Sequence, residues 1–199
     1  MTTTIDTSPG ARRQHWLDVL DGAGLTTAPR WCATPGSGIG EHVEPVPGDL
    51  AATLATPGAL VAAHAVVLAA LSGEREITTG YLPAADAEPL PLLLTVGSGA
   101  GRATWQELVD AAAEAAERSA MYADFPVDAL AVQLGRSGPL FEIELDPFGS
   151  AGGPSGFSVL RVTITDGALV VRHRADLIDA EAAARIAGYH VTALVQLAA

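Results

Sequence analysis

GALVAAHAVVLAALSGEREITTGY, residues 58–81, places a helix with no polar face directly before a strand. Between the two glycines that bound residues 58–73, only His64 and Ser72 interrupt a run of Ala, Val and Leu. A helix that is apolar on every side is buried between layers. The run is too short to cross a bilayer, and Gly73 stands where a left-handed residue closes a helix. EITTGY, residues 76–81, is rich in β-branched and aromatic residues and predicts a strand. A buried helix feeding a strand implies a layered α/β arrangement.

Working outward, residues 11–21 (ARRQHWLDVLD) suit a short helix with Trp16, Leu17 and Leu20 on one side, ended by Gly22 and Gly24. Residues 1–10 are polar and are expected to be disordered. They lack the apolar run of a signal peptide. Residues 22–48 carry many Gly and Pro and predict an extended wrap, with one edge strand near 42–46. Downstream, residues 90–96 (LPLLLTV) predict a strand. Thr104-Trp105-Gln106-Glu107 is a capping box that opens a helix to about Tyr122. Its apolar stripe is Trp105, Leu108, Val109, Ala112 and Ala116, with Asp110, Glu114, Glu117 and Arg118 turned to water. A short helix over 127–134 follows Pro126. Strands are expected over 140–145, 157–165 and 168–174, with Asp166-Gly167 as a hairpin turn between the last two. Asp179 caps a final helix. The order predicts an α/β (α+β) sandwich with a mixed sheet, a single domain over residues 11–199. Leu60, Val67, Leu68, Leu71 and Trp105 are expected in its core.

The chain has 199 residues, enough for a core of its own. Its formal net charge is −12, and all 11 basic residues are arginine. An acidic surface repels phosphate backbones and anionic lipids, so neither nucleic acid nor a membrane is expected as a partner. The one cysteine, Cys32, permits no intrachain disulfide and fits a reducing cytoplasm.

Few residues are arranged for chemistry. GSGAG at 97–101 lies between a strand and a capped helix, where a dinucleotide loop would sit. Its spacing is GxGxG, and no acidic residue stands at the expected distance downstream outside a helix, so a flexible turn is the better reading. GSGIG at 36–40 follows no clear strand. His64 is expected to be a satisfied core histidine, and His173 shares a buried strand face with Leu169 and Val171. His15 and His190 are expected to face solvent or a packing edge, and His42 lies in the wrap. No pair of His or Cys has metal-ligand spacing, Cys32 has no neighbouring base, and no Ser sits in a GxSxG turn. No catalytic residue, cofactor or metal is therefore assigned.

Several segments in order resemble condensation domains of nonribosomal peptide synthetases. Residues 60–80 resemble that family's buried helix, Ser-Gly turn and strand, and residues 11–22 its Tyr-Trp-x-x-x-Leu helix. Thr104-Trp105-Gln106-Glu107-Leu108 is similar to Thr-Phe-x-Glu-Leu. Residues 122–128 resemble His/Asn-Gln-Asp-Tyr-Pro-Phe-Glu, with Asp124, Pro126 and Asp128 matching and Ala123 and Val127 departing. Pro139, Leu140 and Phe141 match Arg-Asn-Pro-Leu-Phe, whose Arg falls on Ser137. Asp166 and Gly167, and then Asp176, Leu177 and Asp179, resemble the last hairpin and the entry to the last helix. All these motif residues are expected to be structural.

The resemblance implies one lobe of a chloramphenicol-acetyltransferase-like fold, the half that follows the family's catalytic lobe. The His-His-x-x-x-Asp-Gly motif does not occur in the chain. The Gly-x-Phe-Val-Asn-Thr segment is missing between Tyr81 and Leu90, and the connection from Leu145 to Phe157 is short. In the family both segments reach toward the other lobe. The resemblance thus implies a truncated, non-catalytic domain of secondary-metabolite biosynthesis. It would act as a scaffold beside an adenylation domain, with carrier proteins or other synthetase domains as further partners. The apolar end of the last helix is expected to meet that neighbour. The alternatives are half of a condensation or acyltransferase enzyme completed in trans, and a small-ligand site on this lobe alone.

Overall fold

A computed structural model describes residues 8–198 except 23, 55, 57 and 98–103. Six helices and six strands follow one another. Helix α1 (Pro9–Gly22) leads to β1 (Ile39–Pro45), a 3-10 turn (Gly48–Leu50) and a short α2 (Ala51–Leu54). Then come α3 (Ala59–Ser72), β2 (Glu76–Tyr81), β3 (Leu90–Thr95), α4 (Trp105–Met121) and α5 (Val127–Gln133). Strands β4 (Ile143–Asp146), β5 (Leu160–Thr165) and β6 (Ala168–Arg174) precede α6 (Ala180–Ala198). The expected disorder of residues 1–10 falls outside the described residues over 1–7, while Pro9 and Gly10 already belong to α1.

The strands form one mixed sheet in the order β1-β6-β5-β4-β2-β3. Strand β4 runs parallel to both β2 and β5, and the remaining pairs are antiparallel. This is the mixed α/β architecture that the sequence predicts. Alternation along the strands sorts the side chains. Ile77, Leu92, Leu94, Ile143, Leu145, Leu160, Val162, Leu169 and Val171 face α3, α4 and α6 and form the main core. A second cluster joins α1 to α5 through Trp16, Leu20, Tyr122, Val127 and Leu130. There the Trp16 indole donates to the Tyr122 carbonyl over 3.3 Å.

The local signals act as expected. Gly73 adopts φ 76° and closes α3 on the Ala69 carbonyl. Thr104 Oγ1 accepts from the Glu107 amide and the Glu107 carboxylate accepts from the Thr104 amide, so the capping box is complete. Thr104→Ala should lower stability by about 1 kcal/mol in a urea titration, because one amide of the first turn loses its acceptor. Asp166 and Gly167 both have positive φ, 50° and 75°, as a tight hairpin requires.

Three expectations need correction. Trp105 is 36 % exposed and is not a core residue. At the first helical position its side chain leans back beyond the helix start, past the turns that meet the sheet; the stripe begins at Leu108. Leu71 is only half-buried, in the last turn of α3. The strand expected over 140–145 begins only at Ile143, and the one over 157–165 at Leu160. Thr26 Oγ1 accepts the Thr78 amide over 3.0 Å, and Glu142 takes the Ala28 amide with its side chain. The chain over 26–30 thereby fills the ladder place beside β2 that an earlier β4 would need.

Candidate functional site

The motif residues do not converge on one point. Pro126, Asp128, Pro139, Leu140 and Phe141 do meet, with Phe125 and Phe157, around a groove of about 770 Å³. Gly80 is needed beneath it, because a Cβ there would stand 2.5 Å from the Phe141 ring. Asp124 instead turns to α1 and pairs with Arg12 at 2.5 Å. Asp166 and Gly167 form the distant hairpin. Asp176 pairs with Arg174 at 2.9 Å, and that bond holds its carboxyl below the usual range. Asp179 accepts the Ala182 amide at the start of α6 and the Ala33 amide of the N-terminal wrap, each over 2.9 Å. These amides lower its pKa and tie the wrap to the last helix. Such contacts position backbone, and none supplies an acid–base pair at the groove.

A larger polar construction was not foreseen from sequence. It lies on the sheet face opposite the helices, where Glu144 and Asp146 are fully buried and Arg161 nearly so. Parallel neighbours such as β4 and β5 need a crossover of about a dozen residues, usually a helix. Here residues 147–159 cross this face without one. Glu144 pairs with Arg161 at 2.7 Å and accepts from the Ser155 amide and hydroxyl at 2.9 and 2.6 Å. Asp146 accepts the Phe148 and Ser150 amides at 2.9 and 2.7 Å. Arg172 donates to the Ser150 carbonyl over 2.8 Å and pairs with Glu41 at 2.7 Å. The crossover is therefore fastened along most of its length to the chain's own sheet. Alternation in IELD and LRVT contains the signal, since charged residues take the positions facing away from the core.

The helix side carries a smaller apolar groove of about 440 Å³ between α3 and α6, lined by Trp31, Val66, Val67, Leu71, Tyr189 and Ala193. Trp31 and Tyr189 are exposed at its rim, and the Arg185 guanidinium lies 5.1 Å from the Trp31 ring centre.

The histidines divide unevenly. His64 is fully buried and hydrogen-bonded, as expected for a core histidine. His173 is buried on the face predicted for it. His190, expected to face solvent or a packing edge, is also fully buried. It continues the stripe of Ala183, Ile186, Ala187 and Leu194, a spacing that could have identified it. His42 lies in β1, bonded to Glu44 over 3.0 Å. Cys32 is half-exposed, 3.6 Å from the Ala175 carbonyl. Among the described residues, no group of three or more His, Cys, Asp or Glu is placed to hold a metal ion, and no helix is long and apolar enough to cross a membrane. Of GSGAG, only Gly97 belongs to the described residues.

No protein-family model matches the sequence, and no curated protein matches it. Solved structures do. The X-domain from teicoplanin biosynthesis superposes with a TM-score of 0.73 at 18% identity, over 97% of this chain and 55% of that one. The same domain in complex with OxyB gives 0.71 at 20%, over 94% and 52%. A variant of the starter condensation domain of rhizomide synthetase gives 0.64 at 16%, over 94% and 54%. The chain has the fold of one half of a condensation domain. It spans about half the length of each of these structures. Within this fold, the fastened crossover over 147–159 occupies the region where the sequence resemblance places a segment reaching toward the other half.

Proposed function

We propose that this chain is a non-catalytic, condensation-like domain that acts as a scaffold in cytoplasmic nonribosomal peptide synthesis and docks an adenylation domain. The observation that carries the proposal is the crossover over 147–159. Its polar contacts run to Glu144, Asp146, Arg161 and Arg172 of its own sheet, so the segment is not free to bridge to a second lobe. Amide formation between two carrier-bound groups needs both to be positioned, with a polar group at the reacting amine. The 199 residues hold no His-His-x-x-x-Asp-Gly, and the buried histidines are engaged in packing.

A partner-binding role has a precedent in the fold, since the X-domain from teicoplanin biosynthesis forms a complex with OxyB. The docking surface proposed here is the groove between α3 and α6. Aromatic residues held at the rim of an apolar cleft are the usual anchors of an interface, and Trp31 and Tyr189 have that placement. A carrier protein or another synthetase domain would meet other faces.

The test is co-expression of an adenylation domain from the same biosynthetic gene set with and without this chain. The expected outcome is a higher soluble yield of the adenylation domain and co-purification of the two, weakened by Tyr189→Ala. Equal yield with no association would overturn the proposed partner.

A further inference from the structure

His42, His64, His173 and His190 stand on the side of the sheet covered by helices, four of the five histidines in the chain. Two of them touch. His64 on α3 and His190 on α6 are fully buried, and His64 Nδ1 lies 3.0 Å from His190 Nε2. The contact continues in both directions. His190 Nδ1 lies 2.8 Å from the Ile186 carbonyl oxygen, and His64 Nε2 lies 3.0 Å from Thr79 Oγ1 on β2.

The hydrogens can be assigned from one end. A carbonyl oxygen only accepts, so His190 Nδ1 carries a hydrogen and its Nε2 accepts. His64 Nδ1 then donates to His190, and His64 Nε2 accepts the Thr79 hydroxyl. Thr79, His64 and His190 bring one hydrogen each, and each link receives one. The neutral chain is complete.

It also has room for one further proton. Thr79 Oγ1 lies 2.9 Å from the Ile143 carbonyl oxygen. If His64 Nε2 gains a hydrogen, it donates to Thr79, whose hydroxyl turns to Ile143. Every link again holds one hydrogen, and the positive charge is shared through the His64–His190 bond. A second added proton would set two N–H groups against each other across that bond.

We propose that the His64–His190 pair is a one-proton acid-sensitive clamp that holds α6 on α3 while neutral and releases it on protonation. The charged form is hydrogen-bonded but dry, and a buried charge without a counter-ion is costly. The titratable groups on the surrounding elements offer none. Strand β6 presents His173 and β2 presents Tyr81. On β1, Glu44 is engaged with His42, and Asp49 of the 3-10 turn is exposed. The inward residues of α4, Leu108, Val109, Ala112 and Ala116, do not titrate.

Burial lowers His190 to about 4, and burial together with the neighbouring charge lowers His64 well below its ordinary value. Unfolded rings take up protons from about pH 6.5 downward. Between those limits the unfolded chain binds more protons than the folded one, so stability falls as pH drops through that window. The groove between α3 and α6 exists only while the clamp is closed. The clamp does not rest on the scaffold role.

The wild-type chain provides the test. Imidazole nitrogen NMR should show both rings protonated at Nδ1 at pH 7. On acidification one proton should appear on the two rings together, well below pH 6.5. Over the same range, amide exchange in α6, corrected for intrinsic rates, should accelerate at least roughly tenfold more than in β5 and β6. The double variant His64→Leu/His190→Leu should lose this excess acid sensitivity in circular dichroism melts. If that variant does not fold, the wild-type spectra decide. Either ring titrating near pH 6.5, an Nε2-protonated His190, or α6 protection unchanged down to pH 4 would overturn the clamp.

Discussion

Arg161→Ala is expected to destabilise the chain by about 3–5 kcal/mol, among the largest effects of any single substitution. The Glu144 carboxylate has no exposure, and its Oε2 accepts from Arg161 Nε over 2.7 Å. Removing the guanidinium leaves that charge buried with only the Ser155 amide and hydroxyl, which satisfy the other oxygen. Gly152 loses its contact with Arg161 as well, so the crossover over 147–159 loosens with the pair. Urea unfolding followed by circular dichroism measures the loss. The double substitution Glu144→Gln/Arg161→Met should recover much of it, because most of the cost lies in the orphaned charge. An Arg161→Ala loss below about 1 kcal/mol would mean that water reaches Glu144 and that the crossover is not fastened as described.

Leu68→Ala follows at about 2–5 kcal/mol. Leu68 is 1 % exposed in α3, within the cluster that also holds Ile77, Leu92 and Ile186. Helix α3 packs on α4, α6 and the sheet, and Leu68 lies on its buried side, so the lost methyl groups leave a cavity that cannot close by a simple shift. A cost under about 1 kcal/mol in the same titration would contradict that placement of α3.

The parts of the fold governed by local rules were readable from the sequence. Strands β2 and β6 span the residues that the sequence predicts, 76–81 and 168–174, and Gly73, Thr104 with Glu107, Asp166 with Gly167, and Asp179 each make the turn or cap their types require. What depended on distant chain was not readable. The late start of β4 reflects Thr26, far away in sequence, bonding to β2. Trp105 has the right period for the core but stands one turn before α4 reaches it. His190 lies deeper than the solvent or packing-edge place that its residue type suggests, because it continues an apolar stripe and only the approach of α3 and α6 supplies its partner. The groove residues Pro126, Asp128, Pro139, Leu140 and Phe141 were named for their resemblance to a family pattern. Their convergence became visible only when the chain entering α5 and the segment leading to β4 came together around one groove.

The central claim is that this chain keeps half of a condensation fold without the chemistry. It is tested most directly by incubating the chain with one carrier protein bearing a donor acyl group and another bearing an acceptor amine, and measuring amide product by mass spectrometry. The account predicts no product above the level the two carriers give alone. Product that depends on the chain and vanishes with His173→Ala or His64→Ala would contradict it.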